Sequence, residues 1–301
     1  LTRQALFKLW FLKERHLGPA QIGIFEPDTL YGWRHKPNTI GRQFTPFGLP
    51  ARYTIDDFGN RTTPGSYLLP KVVFLGCSFT FGEGIGDDES YVWLLGQKWE
   101  NYKFINSAVL GWSTIQASQK LDETLARFCD VELVVYGVIG HHERRNYPDS
   151  NWLNMLHRFG RKHPFVDLEG SELTWRGLTN PQNLPSTDSV ELVEKGKQIT
   201  ARLLQKMEAA CHARGIPFLV VYLPDESDYN LEPAILSVVD TCQFLDLRKT
   251  IPLSKYDNEI DEHPSVEGNQ EMAHQIEPFL AKWLGQKHSA TPPSGTRKAF
   301  F

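Results

Sequence analysis

Residues 72–90 read VVFLGCSFTFGEGIGDDES and combine an apolar run, a sharp turn and a cluster of glycines. The stretch begins with the β-branched and aromatic residues of a buried strand and turns at Gly76. Two side chains capable of nucleophilic attack, Cys77 and Ser78, stand where the strand ends. The stretch therefore predicts either a nucleophile at a strand-to-helix turn or a glycine-rich phosphate-binding loop.

The phosphate-binding alternatives fit poorly. A Walker loop needs a lysine after its second glycine to reach the terminal phosphates, and GCSFTFGEG has phenylalanine and glutamate in that region. A dinucleotide fingerprint needs GxGxxG directly after the strand, whereas GEGIG has another spacing and comes several residues later. A nucleophile at the turn is the better interpretation.

Beyond this stretch, short apolar runs alternate with helical patterns, which is typical of a parallel sheet with crossover helices. Runs such as LVVYGVI are apolar on both faces, as strands covered by helices must be. We therefore predict a doubly wound α/β domain. The predicted strands are 71–76, 102–107, 131–140, 216–224 and 242–247, and the predicted helices are 88–100, 113–129, 188–214, 230–240 and 266–284.

Three segments flank or interrupt this alternation. Residues 1–70 are predicted to be an accessory segment, irregular and containing a hairpin, before the α/β domain at 71–284. Residues 143–187 form an insertion that is either substrate-recognition structure or a surface excursion. Residues 285–301 have the composition of a disordered tail. The insertion carries a basic cluster that either steers an anionic substrate or, as we prefer, forms a solvated face: Arg144, Arg145, Arg158, Arg161 and Lys162.

Composition excludes several classes of protein. The chain has 301 residues and a net charge of −4, so there is no general basic field for nucleic acid. Its four cysteines lack the spacing of a zinc site or a disulfide framework. The N-terminal LTRQALFKLWFLKERHLGP lacks an initiating methionine and resembles a processed or truncated end. It is compatible with a helix packed on the domain, which we favour, or with peripheral membrane association. The compartment stays open between bacterial cytoplasm and cell envelope.

A serine hydroxyl needs a base to become a nucleophile, and His263 is the best candidate among ten histidines. It lies in DEHPSVEGN, a polar turn before an amphipathic helix. Asp261 stands two residues earlier and can accept the other ring N–H, as a triad acid does.

Together these blocks resemble the SGNH (GDSL-like) hydrolase superfamily in their order along residues 71–283. FLGCSFTFGEGI resembles its first block, with Ser78 as nucleophile, and DEHPSVEGN resembles its last. NSAVLGWST at 106–114 resembles the second block, whose glycine, here Gly111, gives an N–H to the oxyanion hole. The resemblance implies a flavodoxin-like three-layer α/β/α fold with five parallel strands.

The chain departs from the family pattern at three places. Cys77 replaces the aspartate of GDS, which is not a triad member. The last block reads DxH rather than DxxH, which resembles the branch containing polysaccharide O-acetyltransferases. The third block, normally GxND, reads VIGHHERRN, so its oxyanion donor is expected from His141 or His142, with His142 preferred and Asn146 too far along.

The resemblance implies a Ser78, His263 and Asp261 triad that forms an acyl-enzyme, with an oxyanion hole from Ser78, Gly111 and His142 and with no metal or organic cofactor. Three functions follow: an esterase or deacylase acting on a small-molecule or carbohydrate acyl ester, an O-acyltransferase, or a non-catalytic ligand-binding domain. Cys77 as nucleophile is a rival, but adjacent residues project differently and the family pattern assigns Ser78 to the crevice.

Overall fold

A computed structural model describes residues 23–43, 51–148, 150–179, 190–225, 227, 230–252 and 263–284. Its centre is a five-stranded parallel sheet with helices on both faces, so the predicted three-layer α/β/α fold is confirmed. The strands of this sheet are β5 (Lys71–Leu75), β6 (Lys103–Asn106), β7 (Val131–Val138), β10 (Phe218–Tyr222) and β11 (Phe244–Asp246).

The strands lie in the order β11-β10-β7-β5-β6. Numbered along the chain within this sheet, that order is 2-1-3-4-5 read from β6, the flavodoxin-like arrangement. After β5 the chain adds β6 on one side of the sheet and then crosses over to add β7 on the other side, so the switch point of the topology lies between β5 and β7. Ligands bind such folds in the crevice at the switch point. Residues that follow β5 and β7 are therefore well placed to form a site.

Alternate residues of each central strand face opposite helical layers. Val72 and Phe74 of β5 pack into one core, whereas Val73 and Leu75 pack into the other. All five residues of β5 are buried, which explains the continuous apolar run in the sequence. The helices are α1 (Ser78–Phe81), α2 (Tyr91–Lys98), α3 (Thr114–Arg127), α4 (His141–Asn146), α5 (Ser150–Arg158), α6 (Val190–His212), α7 (Glu232–Leu236) and α8 (Val266–Leu284).

The segment before the sheet contains two antiparallel hairpins and is braced against the α/β layers by Arg61. This side chain is fully buried and donates to the carbonyl oxygens of Phe81, Gly82 and Ile85 at 2.5 to 2.8 Å. It also forms an ion pair with Asp87 at 3.1 Å. The hairpin strands are β1 (Phe25–Asp28), β2 (Gly32–His35), β3 (Thr39–Gln43) and β4 (Ala51–Ile55).

The insertion contains structure that the sequence pattern did not indicate. After α5 it forms an antiparallel hairpin of β8 (His163–Glu169) and β9 (Glu172–Thr179). Lys162, just before this hairpin, lies so close to Gly32 of β2 that no Cβ atom would fit on Gly32. The insertion is therefore attached to the N-terminal hairpins as well as to the α/β layers.

Several predictions lie outside the described residues: the N-terminal helix within residues 1–22, the tail at 285–301 and the end of the insertion at 180–187. Asp261 also lies outside them. Within the described part of the chain, no helix has the length and apolar character needed to cross a membrane.

Candidate active site

Ser78 begins α1 immediately after β5, in a turn that only glycine permits. A Cβ atom on Gly76 would lie 2.9 Å from the carbonyl oxygen of Gly137 on β7 and closer still to the side chain of Thr80. Thr80 is fully buried between these two glycines. The short helix can therefore press against the sheet, which fixes Ser78 at the switch point between β5 and β7.

Ser78 and His263 meet although 185 positions separate them in the sequence. The Nε2 atom of His263 lies 2.8 Å from Oγ of Ser78, a hydrogen-bond distance. Phe79 packs against the imidazole with ring centroids 4.9 Å apart. Ser78 is 4% exposed and the side chain of His263 is 16% exposed, so both members of the pair are largely enclosed.

Asn269 holds the turn that carries His263. Its Nδ2 atom donates to the carbonyl oxygens of Pro264 and Ser265 at 3.1 and 3.0 Å. Its Oδ1 atom accepts from the backbone N–H of Tyr91 at the start of α2. Asn269 is fully buried, so this bridge ties the histidine turn to the helix that packs beside the nucleophile.

Glu83 is a site residue that sequence reasoning missed. Its Oε2 atom lies 3.4 Å from Nε2 of His263, and its Oε1 atom accepts from Gln43 Nε2 at 3.2 Å. Glu83 belongs to the GEG portion of residues 72–90. The glycines there are typical of a phosphate-binding loop, and nothing in the local pattern indicates a catalytic carboxylate. The structure thus brings an acidic group beside the candidate base.

Gly111 lies in the loop after β6 with a positive φ of 78°. A Cβ atom there would lie 3.4 Å from the ring of Trp33 and 3.6 Å from the ring of Trp152. The same loop is bonded to the nucleophile turn, because the N–H of Val109 donates to the carbonyl oxygen of Gly76 at 3.3 Å. The second and first sequence blocks therefore adjoin each other.

The two histidines of the third block have different surroundings. His142 is fully buried, and its Nδ1 atom lies 2.6 Å from the hydroxyl of Tyr136. Burial lowers its pKa well below the ordinary value. His141 is only half-buried, and its pKa falls to about 4 because of burial and nearby positive charge, to which His263 contributes. His141 is thus the partly accessible member of the pair, whereas His142 is enclosed.

Asn146 points into the interior of the protein. Its Nδ2 atom donates to the hydroxyls of Thr114 and Thr200 at 2.8 and 2.6 Å. This network joins α3, α4 and α6, so the asparagine of the third block holds helices together.

Cys77 belongs to the hydrophobic core and has no exposed surface. Burial raises the pKa of its thiol, and the nearby guanidinium of Arg145 only partly offsets this effect. A neutral, enclosed thiol is a poor nucleophile. Ser78, not Cys77, is the residue in hydrogen-bond contact with His263.

A pocket of about 270 Å³ lies beside Gly111 and His141. Arg145 lines this pocket, and its guanidinium carbon lies 4.5 Å from the ring centre of Trp152. Its Nη1 atom donates to the carbonyl oxygen of Trp112 at 3.1 Å. Trp112 itself is buried in a core cluster, and Trp175 is 42% exposed on β9. The pocket is lined by His141, Arg144, Arg145, Asn151, Trp152 and Met155.

The fold has counterparts among solved structures. It is similar to solved structures of esterases and of lipolytic proteins of the G-D-S-L family. The psychrotrophic esterase EstA from Pseudoalteromonas sp. is 14% identical, with 72% of this chain and 99% of that chain covered and a TM-score of 0.46. A lipolytic protein of the G-D-S-L family from Desulfitobacterium hafniense is 16% identical, with 70% and 99% covered and a TM-score of 0.44.

The acetylxylan esterase Axe2 from Geobacillus stearothermophilus is 11% identical, with 74% of this chain and 97% of that chain covered and a TM-score of 0.43. No protein-family model and no curated protein matches the chain. At such low identities and TM-scores, the assignment of the fold rests on the strand order, and the assignment of the site rests on its own geometry.

Proposed function

We propose that this protein is a serine esterase of the SGNH type, which cleaves an acyl ester through an acyl-enzyme on Ser78. The observation that carries this proposal is the 2.8 Å contact between Ser78 Oγ and His263 Nε2 at the switch point of the sheet. A serine hydroxyl becomes nucleophilic when an adjacent base takes its proton, and this pair has the required distance. The order of the sequence blocks supports the same assignment.

The reaction proceeds in two halves. His263 takes the proton of Ser78 as Oγ attacks the ester carbonyl, and the same proton then passes to the departing alcohol. In the second half, His263 takes a proton from water as the water oxygen attacks the acyl carbon. The bond from the acyl carbon to Ser78 Oγ then breaks, and His263 returns the proton to Oγ, which releases the acid and regenerates both side chains. Asp261 is assigned to the Nδ1 side of His263, on the basis of the DxH block alone.

The oxyanion hole is assigned to the backbone N–H groups of Ser78 and Gly111 and to a histidine of the third block. The half-buried position of His141, which lines the pocket beside Gly111, supports His141 as this donor. The bond between His142 Nδ1 and Tyr136 instead supports a structural role for His142. A neutral imidazole can donate one N–H without titrating near neutral pH.

O-acyltransfer is the second candidate; the DxH form of the last sequence block favours it, and Glu83 supplies a group that could orient the acceptor. Its carboxylate lies beside His263 Nε2, the atom that must deprotonate the second nucleophile. A carboxylate there can accept a hydrogen bond from an acceptor alcohol and orient its hydroxyl group. Transfer uses the same acyl-enzyme and differs only in whether water or the alcohol attacks it.

Hydrolysis of p-nitrophenyl acetate tests the proposal. Wild type and Cys77→Ala should hydrolyse the ester, whereas Ser78→Ala and His263→Ala should lose about 1000-fold or more in kcat. A transferase would release p-nitrophenol faster when an acceptor alcohol is added and would form the new ester. Equal rates for wild type and Ser78→Ala would refute the serine mechanism and favour a non-catalytic ligand-binding domain.

A further inference from the structure

Arg161 follows α5 in the insertion and lies over two aromatic rings. Its guanidinium carbon is 4.3 Å from the ring centre of Phe25 and 5.2 Å from that of Trp33. The side chain is half-buried, and within the described parts of the chain it makes no hydrogen bond or ion pair. Such a stacked, oriented guanidinium still has all five of its N–H donors to offer.

Arg161 borders the candidate active site on two sides. Trp33, on which it stacks, lies against Gly111, the assigned oxyanion donor. The negative charge of Glu83, which contacts His263, raises the pKa of Arg161 against the effect of burial. Arg161 is therefore linked through Trp33 to the assigned oxyanion donor, and its charge is felt beside the candidate base.

The surroundings favour an anionic ligand. Burial lowers the pKa of Arg161 to about 10, so the side chain remains positively charged at neutral pH. A partly desolvated charge without a bonded counterion gains more from a carboxylate or phosphate than an exposed one does. The planar fork of arginine can also bind both oxygens of such a group at once.

We propose that Arg161 binds an anionic group of the ester substrate, a carboxylate, sulfate or phosphate, and thereby selects acyl esters that carry a negative charge. This inference rests on the proposed esterase function. The anionic group belongs either to the acyl part or to the alcohol part of the ester, and substrates of both kinds separate these sources.

Two pairs of near-isosteric esters test the proposal. For the acyl side, p-nitrophenyl hydrogen succinate is compared with p-nitrophenyl butyrate, in which a methyl group replaces the carboxylate. For the alcohol side, 4-acetoxybenzoate is compared with 4-methylphenyl acetate. Because each ratio is compared between enzyme variants, the intrinsic reactivities of the esters cancel.

Arg161→Gln should lower kcat/KM for the charged ester of one pair by about 10- to 100-fold, mainly through KM. For the neutral ester of the same pair, kcat/KM should change by no more than about threefold. Arg161→Lys should recover part of the lost kcat/KM for the charged ester. Arg158→Gln removes the same charge from an exposed position three residues earlier and should change neither ratio. An equal loss of kcat/KM for the charged and the neutral esters would overturn the proposal and show that Arg161 has only a structural role.

Failure of this inference is distinguishable from failure of the esterase function. If hydrolysis depends on Ser78 but wild type and Arg161→Gln have the same charged-to-neutral ratio in both pairs, only the role of Arg161 is refuted. If no ester is hydrolysed, the same esters are offered to the Ser78→Ala protein and binding is followed by ligand-observed NMR. Binding of a charged ester that is lost in Ser78→Ala/Arg161→Gln supports the anion site, and equal binding of both members of each pair, or of neither, overturns it.

Discussion

The Oε2 atom of Glu83 lies 3.4 Å from Nε2 of His263, the same ring nitrogen that lies 2.8 Å from Ser78 Oγ. A carboxylate at this distance favours the protonated form of the imidazole. Protonated His263 forms when it takes the serine proton, so Glu83 is placed to stabilise the charge that develops during attack. His141 is a second titratable group that acts on His263, and it is neutral above about pH 5 because its pKa is about 4.

Glu83→Gln should therefore reduce kcat and move the acid limb of the pH–rate profile to lower pH. Without the negative charge, His263 loses its proton at lower pH, and the shift should be up to about one pH unit. Profiles of kcat/KM between about pH 4.5 and 9 measure it. Asp88→Asn removes an exposed carboxylate five residues away and serves as the control. An unchanged acid limb in Glu83→Gln would show that Glu83 does not act on the base.

The two neighbouring histidines should behave differently when each is replaced by alanine. His141→Ala should lower kcat by about 100-fold, the effect of losing one oxyanion donor, with little change in Tm. His142→Ala should instead destabilise the fold by about 1 to 3 kcal/mol, because the Tyr136 hydroxyl loses a buried partner. Kinetics and thermal unfolding of both variants separate the roles. The reverse outcome, with loss of activity confined to His142→Ala, would restore His142 as the donor.

Arg61 links the N-terminal segment to the nucleophile loop. Arg61→Ala leaves Asp87 without its ion-pair partner and removes the arginine donor from three buried carbonyl oxygens, of which that of Phe81 keeps a weaker bond from Asn106. We expect a loss of about 3 to 5 kcal/mol in the free energy of unfolding, measured by urea denaturation. The exposed Arg52→Ala variant should stay within about 0.5 kcal/mol of wild type. Similar stabilities for the two variants would contradict the bracing role.

Stability should fall as the pH drops below about 6.5. Burial lowers the pKa of His35 and His163 to about 3 and that of His141 to about 4, so the unfolded chain binds protons that the folded chain excludes. Glu143 opposes this trend between about pH 7 and 4.5, because burial raises its pKa to about 7. Three histidines destabilise the folded state on acidification and one glutamate stabilises it, so the net free energy of unfolding falls. The urea midpoint should therefore be lower at about pH 5 than at pH 7.5. A midpoint that rises on acidification would contradict the burial of these rings.

Much of the fold was predictable, because buried strands such as β5 and β7 are continuous apolar runs bounded by turns. The contact between Ser78 and His263 was predictable because sharp local patterns surround both residues. The position of Glu83 was not, since it depends on contacts between distant segments. Arg161 was expected on a solvated face of a basic cluster, and its place over Phe25 and Trp33 depends likewise on distant segments. The hairpin β8–β9 was missed because its half-exposed residues lack a strong alternation. The role of Asp261 stays a prediction.

Intact-mass spectrometry after exposure to a fluorophosphonate shows directly whether Ser78 is the nucleophile. Wild type and Cys77→Ala should each gain one phosphonyl mass, and peptide mapping should locate it on Ser78. Ser78→Ala should gain none. A phosphonyl group on Cys77, or full labelling of Ser78→Ala, would contradict the claim.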